Sequence, residues 1–415
     1  MRKCNKFISA VVASAMVLAM AGCGGSNETA PSQAAQSSQQ EAQSSQAADN
    51  SGAANDGAAT GGQFVIGGIG PMTGGAALYG LAAMHGAEIA VKEINANGGI
   101  NGVQIVFLPE DDQHDAEKSV NAYNSLKDQG MQILMGCVTT TPCVAVADKT
   151  AVDGMFQITP SASSTDVIEN DNVFQVCFTD PNQGVASAQY IADKKLATKI
   201  GIIYDSSDVY SSGIEATFVK QAETLGLEIV ADEAFTADSK TDFSTQLQKC
   251  QSAGAELVFL PFYYTEASIV LTQANGMGYA PIFFGVDGMD GILGVENFDT
   301  KLAEGVYLLT PFAADATDAA TVSFVKAYQD TYNETPIQFA ADAYDAIYII
   351  KAAIEQTGVT PDQSVEEIGN ALKGVMPTLS VDGLTGAGMT WDASGAVSKA
   401  PMAVIIKDGA YASVQ

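Results

Sequence analysis

Two runs of hydroxyl-bearing residues each follow a short apolar segment of the chain. Residues 139–141 are three threonines that come after the apolar run at 132–136 and stand directly before Pro142, and a serine-rich run at 161–165 follows the apolar run at 155–159. Proline favours the start of a helix, where backbone N–H groups are unpaired, so the first run combines hydroxyl and backbone donors. Neither run contains a basic residue. This pattern predicts neutral donors for a singly charged carboxylate, although N-capping by one threonine also explains the first run.

Three further polar side chains follow other apolar runs. Tyr210, Tyr263 and Asp287 each stand shortly after the end of such a run. Aromatic rings can wall an apolar pocket while their hydroxyls supply a polar tip. The carboxylate of Asp287 could hold a cation, although an aspartate next to a glycine is also a common turn residue. Hydroxyl donors on one side, facing aromatics and an acid on the other, would hold both charges of an amino-acid zwitterion.

The elements that must position these residues alternate along the chain. From residue 64 onward, short apolar runs alternate with longer amphipathic stretches, in one series that begins at 64–69 and a second that begins at 173–178. Continuous apolar runs joined by helical crossovers predict parallel sheets covered on both faces. The predicted fold class is therefore α/β, with two Rossmann-like lobes joined by a hinge. Ligands of such sheets bind beyond the carboxyl ends of the strands, where the hydroxyl runs and Asp287 are expected.

Composition excludes several classes of function. The chain has 415 residues, with 48 acidic against 19 Lys and Arg residues and a formal net charge of −29. It therefore lacks the clustered positive charge that nucleic-acid binding requires. The only histidines are His85 and His114, so chemistry that needs several imidazoles is hard to assemble. We expect neither a cofactor nor a bound metal.

The absence of several local motifs excludes further classes of function. Thr73 stands where a dinucleotide-binding fingerprint needs its third glycine, and the chain contains neither a GxSxG elbow nor an HExxH motif. The acidic loop at 111–115 lacks EF-hand spacing and is interpreted as a solvated turn rather than a cation site. Cys137 and Cys143 are close enough in sequence to pair, but small buried thiols are at least as good an explanation.

The N-terminal residues have the pattern of an export signal. Three basic residues precede an apolar run at 7–21, which is too short to span a bilayer comfortably. We expect a signal peptide at 1–22, and the small residues before Cys23 resemble the bacterial lipobox, whose cysteine becomes lipidated. An ordinary signal peptide with an incidental cysteine is the alternative. Residues 23–62 contain no Phe, Tyr or Trp, so we expect a lipidated cysteine followed by a disordered linker.

Several short strings in the body of the chain resemble one family. From about residue 64 to the end, the sequence is similar to the branched-chain amino-acid (Leu/Ile/Val) substrate-binding proteins of ABC transporters, which have the type I periplasmic-binding-protein fold. The strings that carry this resemblance are PMTG at 71–74, GAE at 86–88, INANGGING at 94–102, EDD at 110–112, ITP at 158–160, DPNQG at 180–184, DFS at 242–244 and TWD at 390–392.

The resemblance implies a division into lobes and a set of ligand-binding residues. The first lobe would comprise 63–179 plus 313–388, and the second 180–312 plus 389–415. By position, Thr140 and Ser163 would hold the ligand carboxylate, Ser161 would offer its carbonyl to the ammonium group, and Asp287 would be the counter-ion. The remaining matched positions, on the second lobe and around the side-chain pocket, are Tyr210, Tyr263, Tyr79, Val138 and Phe339.

The resemblance also implies partners and a location. We expect a monomer that binds a free amino acid, Leu, Ile or Val, and delivers it to the membrane permease of an ABC importer. It would be held on the extracytoplasmic face of the cell membrane by its lipid anchor alone, would not bind nucleic acid and would not be an enzyme. The alternatives are a binder of short amides or urea with the same fold, a ligand-sensing ectodomain and, least favoured, a secreted hydrolase.

Overall fold

The structure is a computed structural model that describes residues 62–414. The predicted signal peptide, Cys23 and the predicted linker up to residue 61 lie outside the described residues. Within the described range, no helix combines the length and the apolar character needed to cross a membrane.

The twelve strands of the described range form two separate sheets. The first sheet has the order β2-β1-β3-β4-β5 with every pair parallel, so its central strands are buried beneath helices. Its strands are β1 (Phe64–Gly70), β2 (Ile105–Asp111), β3 (Ile133–Gly136), β4 (Phe156–Thr159) and β5 (Val173–Gln175).

The second sheet is mixed. Its order is β12-β11-β10-β9-β8-β6-β7. The five strands β6 to β10 pair in parallel, whereas β11 is antiparallel to β10 and β12 is antiparallel to β11. Its strands are β6 (Lys199–Asp205), β7 (Glu228–Phe235), β8 (Leu257–Leu260), β9 (Ile282–Gly285), β10 (Tyr307–Thr310), β11 (Met402–Lys407) and β12 (Ala410–Ser413).

Ten α-helices of the described range connect and cover these strands. They are α1 (Ala77–Ala96), α2 (Ala116–Asp128), α3 (Thr140–Asp153), α4 (Asp180–Lys194), α5 (Val209–Leu225), α6 (Ser244–Ala253), α7 (Tyr264–Gly276), α8 (Ala319–Tyr332), α9 (Gln338–Thr357) and α10 (Val365–Val375). The α/β class with two lobes that the sequence predicts is therefore confirmed.

Two details differ from the sequence prediction. The apolar run at 173–178 was expected to open the second series, but β5 pairs with β4 and ends the first sheet. The short strand β12 was not expected at all; it forms a hairpin with β11 through Asp408 and Gly409, both at positive φ. Such a hairpin depends on turn geometry and not on a long apolar run, which is why periodicity missed it.

Close packing of α1 against α9 positions two of the predicted site residues. A Cβ atom added to Gly86 in α1 would lie 1.9 Å from the carbonyl oxygen of Ala340 in α9, so only glycine permits this approach. The approach brings the start of α9 beside the start of α1, where the rings of Tyr79 and Phe339 have centroids 4.2 Å apart. Two predicted site residues from distant parts of the sequence thereby become neighbours.

A buried ion pair lies where the chain crosses between the sheets. Lys399 Nζ is 2.8 Å from Asp342 Oδ1, with both side chains nearly fully buried, and it also donates to the carbonyl of Val176. Trp391 donates through its indole N–H to the carbonyl of Gln175 in the first sheet. The predicted lobe boundaries stay a prediction, and these contacts lead us to propose that the last crossover follows Lys399 rather than residue 388.

The four cysteines of the described range are all free thiols and all buried. The open question about Cys137 and Cys143 is therefore answered in favour of small buried thiols. Burial raises the pKa of the Cys137 thiol, and the neighbouring Cys143 adds to that rise. This environment keeps Cys137 in the unreactive thiol form.

Candidate functional site

A narrow cavity lies between the carboxyl ends of the strands of the two sheets. The space left inside it is about 10 Å³, room for at most one water molecule. Tyr79 on one side is hydrogen-bonded to Gly288 and Tyr264 on the other, so the lobes are closed on each other. The lining residues are Tyr79, Val138, Thr139, Thr140, Ser161, Tyr210, Tyr263, Asp287, Gly288 and Phe339.

The N-terminus of α3 forms the first wall. Thr140 and Thr141 occupy its first two positions, where helix geometry leaves backbone N–H groups without an intrahelical acceptor. Thr139 is the N-cap residue, but its side chain makes no capping hydrogen bond. Its hydroxyl oxygen instead lies 2.9 Å from Nδ1 of His114. The helix therefore presents its free donors and the positive end of its dipole to the cavity.

The loop after β4 forms the neighbouring wall. Thr159 donates through its hydroxyl to the carbonyl of Cys137 at 2.7 Å, and Ser161 donates to the carbonyl of Val138 at 2.6 Å. These bonds tie the ends of β3 and β4 together across the parallel ladder. As a result Ser161 is held at the cavity with its hydroxyl proton already committed to a backbone acceptor.

Asp287 forms the opposite wall, in a short 3₁₀ turn after β9. Its side chain is 3% exposed, and its Oδ1 accepts a 2.5 Å hydrogen bond from the hydroxyl of Tyr210. Its backbone is held from both lobes, because its N–H donates to Gln183 Oε1 at 3.2 Å and its carbonyl accepts from Gln338 Nε2 at 2.8 Å. The carboxylate is thus fixed in position at the cavity wall.

The electrostatic setting of Asp287 is unusual for a buried acid. Burial raises its pKa to about 7, and the hydrogen bond from Tyr210 opposes that rise. In the described part of the chain, no Lys, Arg or His forms an ion pair with it. A carboxylate in this position would be stabilised by a cation brought to it from outside the chain.

Aromatic rings close the remaining sides. The rings of Tyr210 and Tyr263 are stacked with centroids 4.9 Å apart, and the ring of Tyr79 meets that of Tyr263 edge-on at 5.6 Å. Tyr79, in the first lobe, also donates a hydrogen bond to the carbonyl of Gly288 and accepts one from the N–H of Tyr264, both in the second lobe. These rings therefore form the apolar wall and also join the lobes.

The structure brings eight of the nine predicted ligand-binding residues to this cavity, and Ser163 is the exception. Ser163 is fully buried behind the lining, where its carbonyl accepts from the N–H of Asp180 at 2.9 Å. Gln183 connects it to the cavity, since Gln183 Nε2 lies 3.5 Å from Ser163 Oγ and Gln183 Oε1 accepts from Asp287. Ser163 therefore supports the wall that holds Asp287 rather than lining the cavity itself. The binding roles of all nine residues stay predictions.

Sequence reasoning missed Gln183, His114 and Gln338 as site residues. The DPNQG string at 180–184 pointed to Gln183 without giving it a role. The loop at 111–115 was interpreted as a solvated turn, but this is wrong for Asp112, which is fully buried with a pKa raised by burial to about 7. His114 packs edge-on against Tyr263 at 5.5 Å, and burial and then Lys240 lower its pKa to about 4.

The arrangement suits binding better than bond-breaking chemistry. Donors for an anion lie on one side, an uncompensated carboxylate on the other, and apolar rings between them. Among residues 62–414, no group of three or more His, Cys, Asp or Glu side chains is arranged to hold a metal ion. The site can hold a small molecule that carries both an anionic and a cationic group.

Two known proteins are similar in sequence to this chain over nearly three quarters of its length. The chain is similar to "Leu/Ile/Val-binding protein homolog 3" of Brucella melitensis, 31% identical over 73% of this chain and 81% of the relative. It is also similar to the "leucine-, isoleucine-, valine-, threonine-, and alanine-binding protein" of Pseudomonas aeruginosa, 27% identical over 72% of this chain and 79% of the relative.

One solved structure is similar to this chain in both fold and sequence. The branched-chain amino acid transporter substrate-binding protein LivJ of Streptococcus pneumoniae, in complex with isoleucine, matches with a TM-score of 0.77 and 29% identity, over 84% of this chain and 97% of LivJ. The leucine-binding protein LivK of Thermotoga maritima, at 24% identity and a TM-score of 0.76, shares the fold. A family model described as periplasmic binding protein matches residues 63–410, and the chain belongs to that family.

Proposed function

We propose that this protein captures a free branched-chain amino acid between its two lobes, outside the cytoplasm, and delivers it to an ABC importer. The observation that carries the proposal is the pairing of two features across one cavity. Asp287, which has no ion-pair partner among the described residues, lines the same cavity as Thr140 at the start of α3, where backbone N–H groups are free. The ammonium and carboxylate of an amino acid have the charges that this pair of features requires.

The carboxylate end of the ligand would be bound by neutral donors. Thr140 contributes a backbone N–H at a helix N-terminus and a hydroxyl that lines the cavity. Charge-assisted bonds from such donors to a carboxylate are shorter and stronger than bonds between neutral groups. Ser163 would act through Gln183 rather than by direct contact.

The ammonium end would be bound by Asp287. Once an ammonium approaches, its charge favours the ionised carboxylate and replaces the missing ion pair. The carbonyl of Ser161 lies on the neighbouring wall and would accept a second ammonium hydrogen bond. The hydroxyl of Tyr210 remains on Asp287 Oδ1, so the two carboxylate oxygens have different partners.

The side chain of the ligand would lie among Tyr79, Val138 and Phe339. These residues offer apolar surface and are nearly fully buried, which favours a branched aliphatic group over a polar one. The selectivity proposed for this chain matches the names of the two relatives described above, which include leucine, isoleucine and valine.

Capture requires the lobes to move. A cavity of about 10 Å³ does not admit an amino acid, so the ligand would enter an open form and remain in a closed one. Direct bonds between the lobes mark closure, including that of Thr265 to the carbonyl of Gly75 at 2.7 Å and that of Tyr79 to Gly288. A ligand that contacts both lobes stabilises the closed form by contacts that the open form cannot make.

The rest of the proposal concerns location and partners. A lipid on Cys23 and the linker up to residue 62 would hold the body near the outer face of the membrane, where a permease can receive the ligand. The protein would act as a monomer by binding and release, with no chemical step. A binder of short amides or urea remains the alternative, since an amide would not need the charge of Asp287.

Thermal-shift screening of the purified protein tests the proposal. The compounds are the twenty proteinogenic amino acids, urea and acetamide, each measured also with Asp287→Asn as the matched variant. We expect stabilisation by Leu, Ile and Val that the variant loses. Stabilisation by urea or acetamide in both proteins, with no response to any amino acid, would overturn the zwitterion site.

A further inference from the structure

A second cavity lies at the junction of the lobes, beside the site described above. It encloses about 550 Å³, far more than the closed amino-acid cavity. The first lobe contributes α1, α8 and the segment before α9, while the second lobe contributes the turn at 291–294 and β12. Its apolar lining includes Leu78, Ala82, Leu293, Val325, Ile337 and Tyr411. We call this cavity the junction groove.

A smaller pocket adjoins the junction groove at its inner side. It has room for about 10 Å³, enough for one water-sized group, and it shares Ala314, Pro336, Ile337 and Tyr411 with the groove. Asp290 lines this inner pocket and is only 4% exposed. The shared residues place the two cavities side by side, and Asp290 lines only the inner pocket.

The carboxylate of Asp290 is only half satisfied. Its Oδ2 accepts a 2.9 Å hydrogen bond from the N–H of Gln338, but its Oδ1 is buried and has no hydrogen-bond partner among the described residues. The hydroxyl of Tyr411 accepts from the N–H of Gly291 at 2.9 Å. It also lies beside the carboxyl of Asp290 and lowers its pKa, without the geometry of a full hydrogen bond to Oδ1. An unpartnered buried carboxylate oxygen is costly, and a charged donor would remove that cost.

The charges around the two cavities favour a cation. Among the described residues that line them, none is lysine or arginine, whereas the exposed acids Asp315 and Glu334 line the junction groove. Burial raises the pKa of Asp290 to about 6, and the backbone of Gln338 opposes that rise. No described residue forms an ion pair with this carboxyl group.

We propose that the junction groove and its inner pocket bind a primary alkylamine, with the ammonium on Oδ1 of Asp290 and the alkyl chain between Val325 and Leu293. The inner pocket fits a group the size of an ammonium, and the groove supplies apolar surface for the chain. A neutral ligand of the same shape would leave Asp290 without a counter-ion. An anionic ligand would be repelled by Asp290.

This second site is coupled to the amino-acid site through Gln338. Its backbone N–H holds Asp290 and its side chain holds the carbonyl of Asp287 at 2.8 Å. Both cavities are walled by both lobes, so an amine in the junction groove favours closure. Reciprocal linkage then raises the affinity for the amino acid. This coupling rests on the proposed function, whereas the amine site itself does not.

Calorimetric titration of the full chain with n-hexylamine, at a pH above the pKa of Asp290, tests the site. We expect saturable binding of n-hexylamine and none of n-hexanol or hexanoate. Asp290→Asn should weaken amine binding by about tenfold or more, as for loss of a hydrogen bond to a charged group. Val325→Phe, which fills the groove and keeps Asp290, should weaken it as well. Asp330→Asn removes an exposed acid of α8 that lines neither cavity, and it should leave amine binding unchanged.

Two outcomes separate this proposal from the proposed function. Asp287→Asn should bind n-hexylamine as the unchanged protein does, even though it binds leucine much more weakly. Saturating n-hexylamine should lower the leucine dissociation constant of the unchanged protein several-fold. Equal binding of n-hexylamine and n-hexanol, or amine binding that survives both Asp290→Asn and Val325→Phe, would overturn the amine site. Amine binding without any change in leucine affinity would overturn the coupling.

Discussion

The hydroxyl of Tyr210 donates a 2.5 Å hydrogen bond to Oδ1 of Asp287, and the same hydroxyl accepts the N–H of Gly288 at 2.9 Å. Tyr210 lies at the start of α5 and Asp287 follows β9, so the contact joins two strand ends of the second sheet. It fixes the carboxylate while leaving Oδ2 free of any bond from Tyr210. A cation that reaches the cavity meets a carboxylate that is already oriented.

Replacement of Asp287 by alanine should weaken leucine binding severely. The change removes the only described acid in the cavity lining and leaves the ligand ammonium buried without a counter-ion. We expect a loss of about 2–5 kcal/mol, measured by calorimetry at constant pH. Asp238→Ala, at an acid in a short turn with no buried residues, is the control. Binding of leucine within twofold of the unchanged protein would exclude Asp287 as the counter-ion.

Leucine affinity should fall as the pH falls below about 7. Burial raises the pKa of Asp287 to about 7 in the ligand-free closed form, and only the ionised form pairs with an ammonium. A proton must therefore leave the carboxyl when the ligand binds in acid, so affinity rises with pH up to about 7 and then levels off. At pH values well below 7, the leucine affinity should change by about tenfold per pH unit.

Calorimetry in two buffers of different ionisation enthalpy, at about pH 6, measures the proton that binding releases. Asp180 and Asp208 lie near the site and also have raised pKa values. Both acids are still present in Asp287→Asn, so the variant shows how much of the pH dependence they cause. If the variant, tested at high ligand concentration, keeps the same pH slope, the titrating group is another acid.

Tyr79→Phe should loosen closure without unfolding either lobe. The hydroxyl of Tyr79 donates to the carbonyl of Gly288 and accepts from the N–H of Tyr264, and both partners are in the second lobe. Losing it leaves a buried carbonyl unpaired, which we expect to weaken leucine binding by about 1–3 kcal/mol, chiefly through faster dissociation. Stopped-flow fluorescence measures that rate.

Tyr332→Phe is the matched control for this change. The hydroxyl of Tyr332 bonds Glu88 Oε2 at 2.8 Å, and both residues belong to helices of the first lobe. It should leave the dissociation rate as it is. A rate for Tyr79→Phe equal to that of the control would mean that the hydroxyl does not contribute to closure.

Lys399→Met should destabilise the fold by about 3–5 kcal/mol, because it leaves Asp342 buried without its ion pair. The Lys399 and Asp342 side chains are 1% and 2% exposed, and Lys399 also bonds Thr385 Oγ1 at 2.6 Å. Urea unfolding measures the change. Lys326→Met breaks an exposed pair with Asp330 and should cost about 0.5 kcal/mol or less.

The double variant Lys399→Met with Asp342→Leu extends this test. It removes the unpaired charge, so it should recover most of the stability lost by Lys399→Met alone. A double variant no more stable than the single one would show that Lys399 acts through its bonds to Val176 and Thr385 rather than through the charge of Asp342.

Much of the architecture could be predicted from local patterns. Apolar runs such as β1 and β8 are buried on both faces, and the helices between them keep a regular period, so the α/β class and the two sheets followed from periodicity. The rule that parallel strands present ligand sites at their carboxyl ends also led to Thr140, Ser161 and Asp287. The hairpin of β12 and the placement of β5 could not be predicted, because pairing partners leave no periodic signal.

The sequence alone determined which side chains stand at the strand ends, since each strand carries its own following loop. Only the tertiary structure decided how those ends face each other. It moved Ser163 behind the lining, placed His114 against Thr139 and Tyr263, and left Asp287 and Asp290 buried without cations. These outcomes depend on contacts between two lobes. The desolvation of a carboxylate is set by what packs over it, and that packing is absent from any local stretch of the chain.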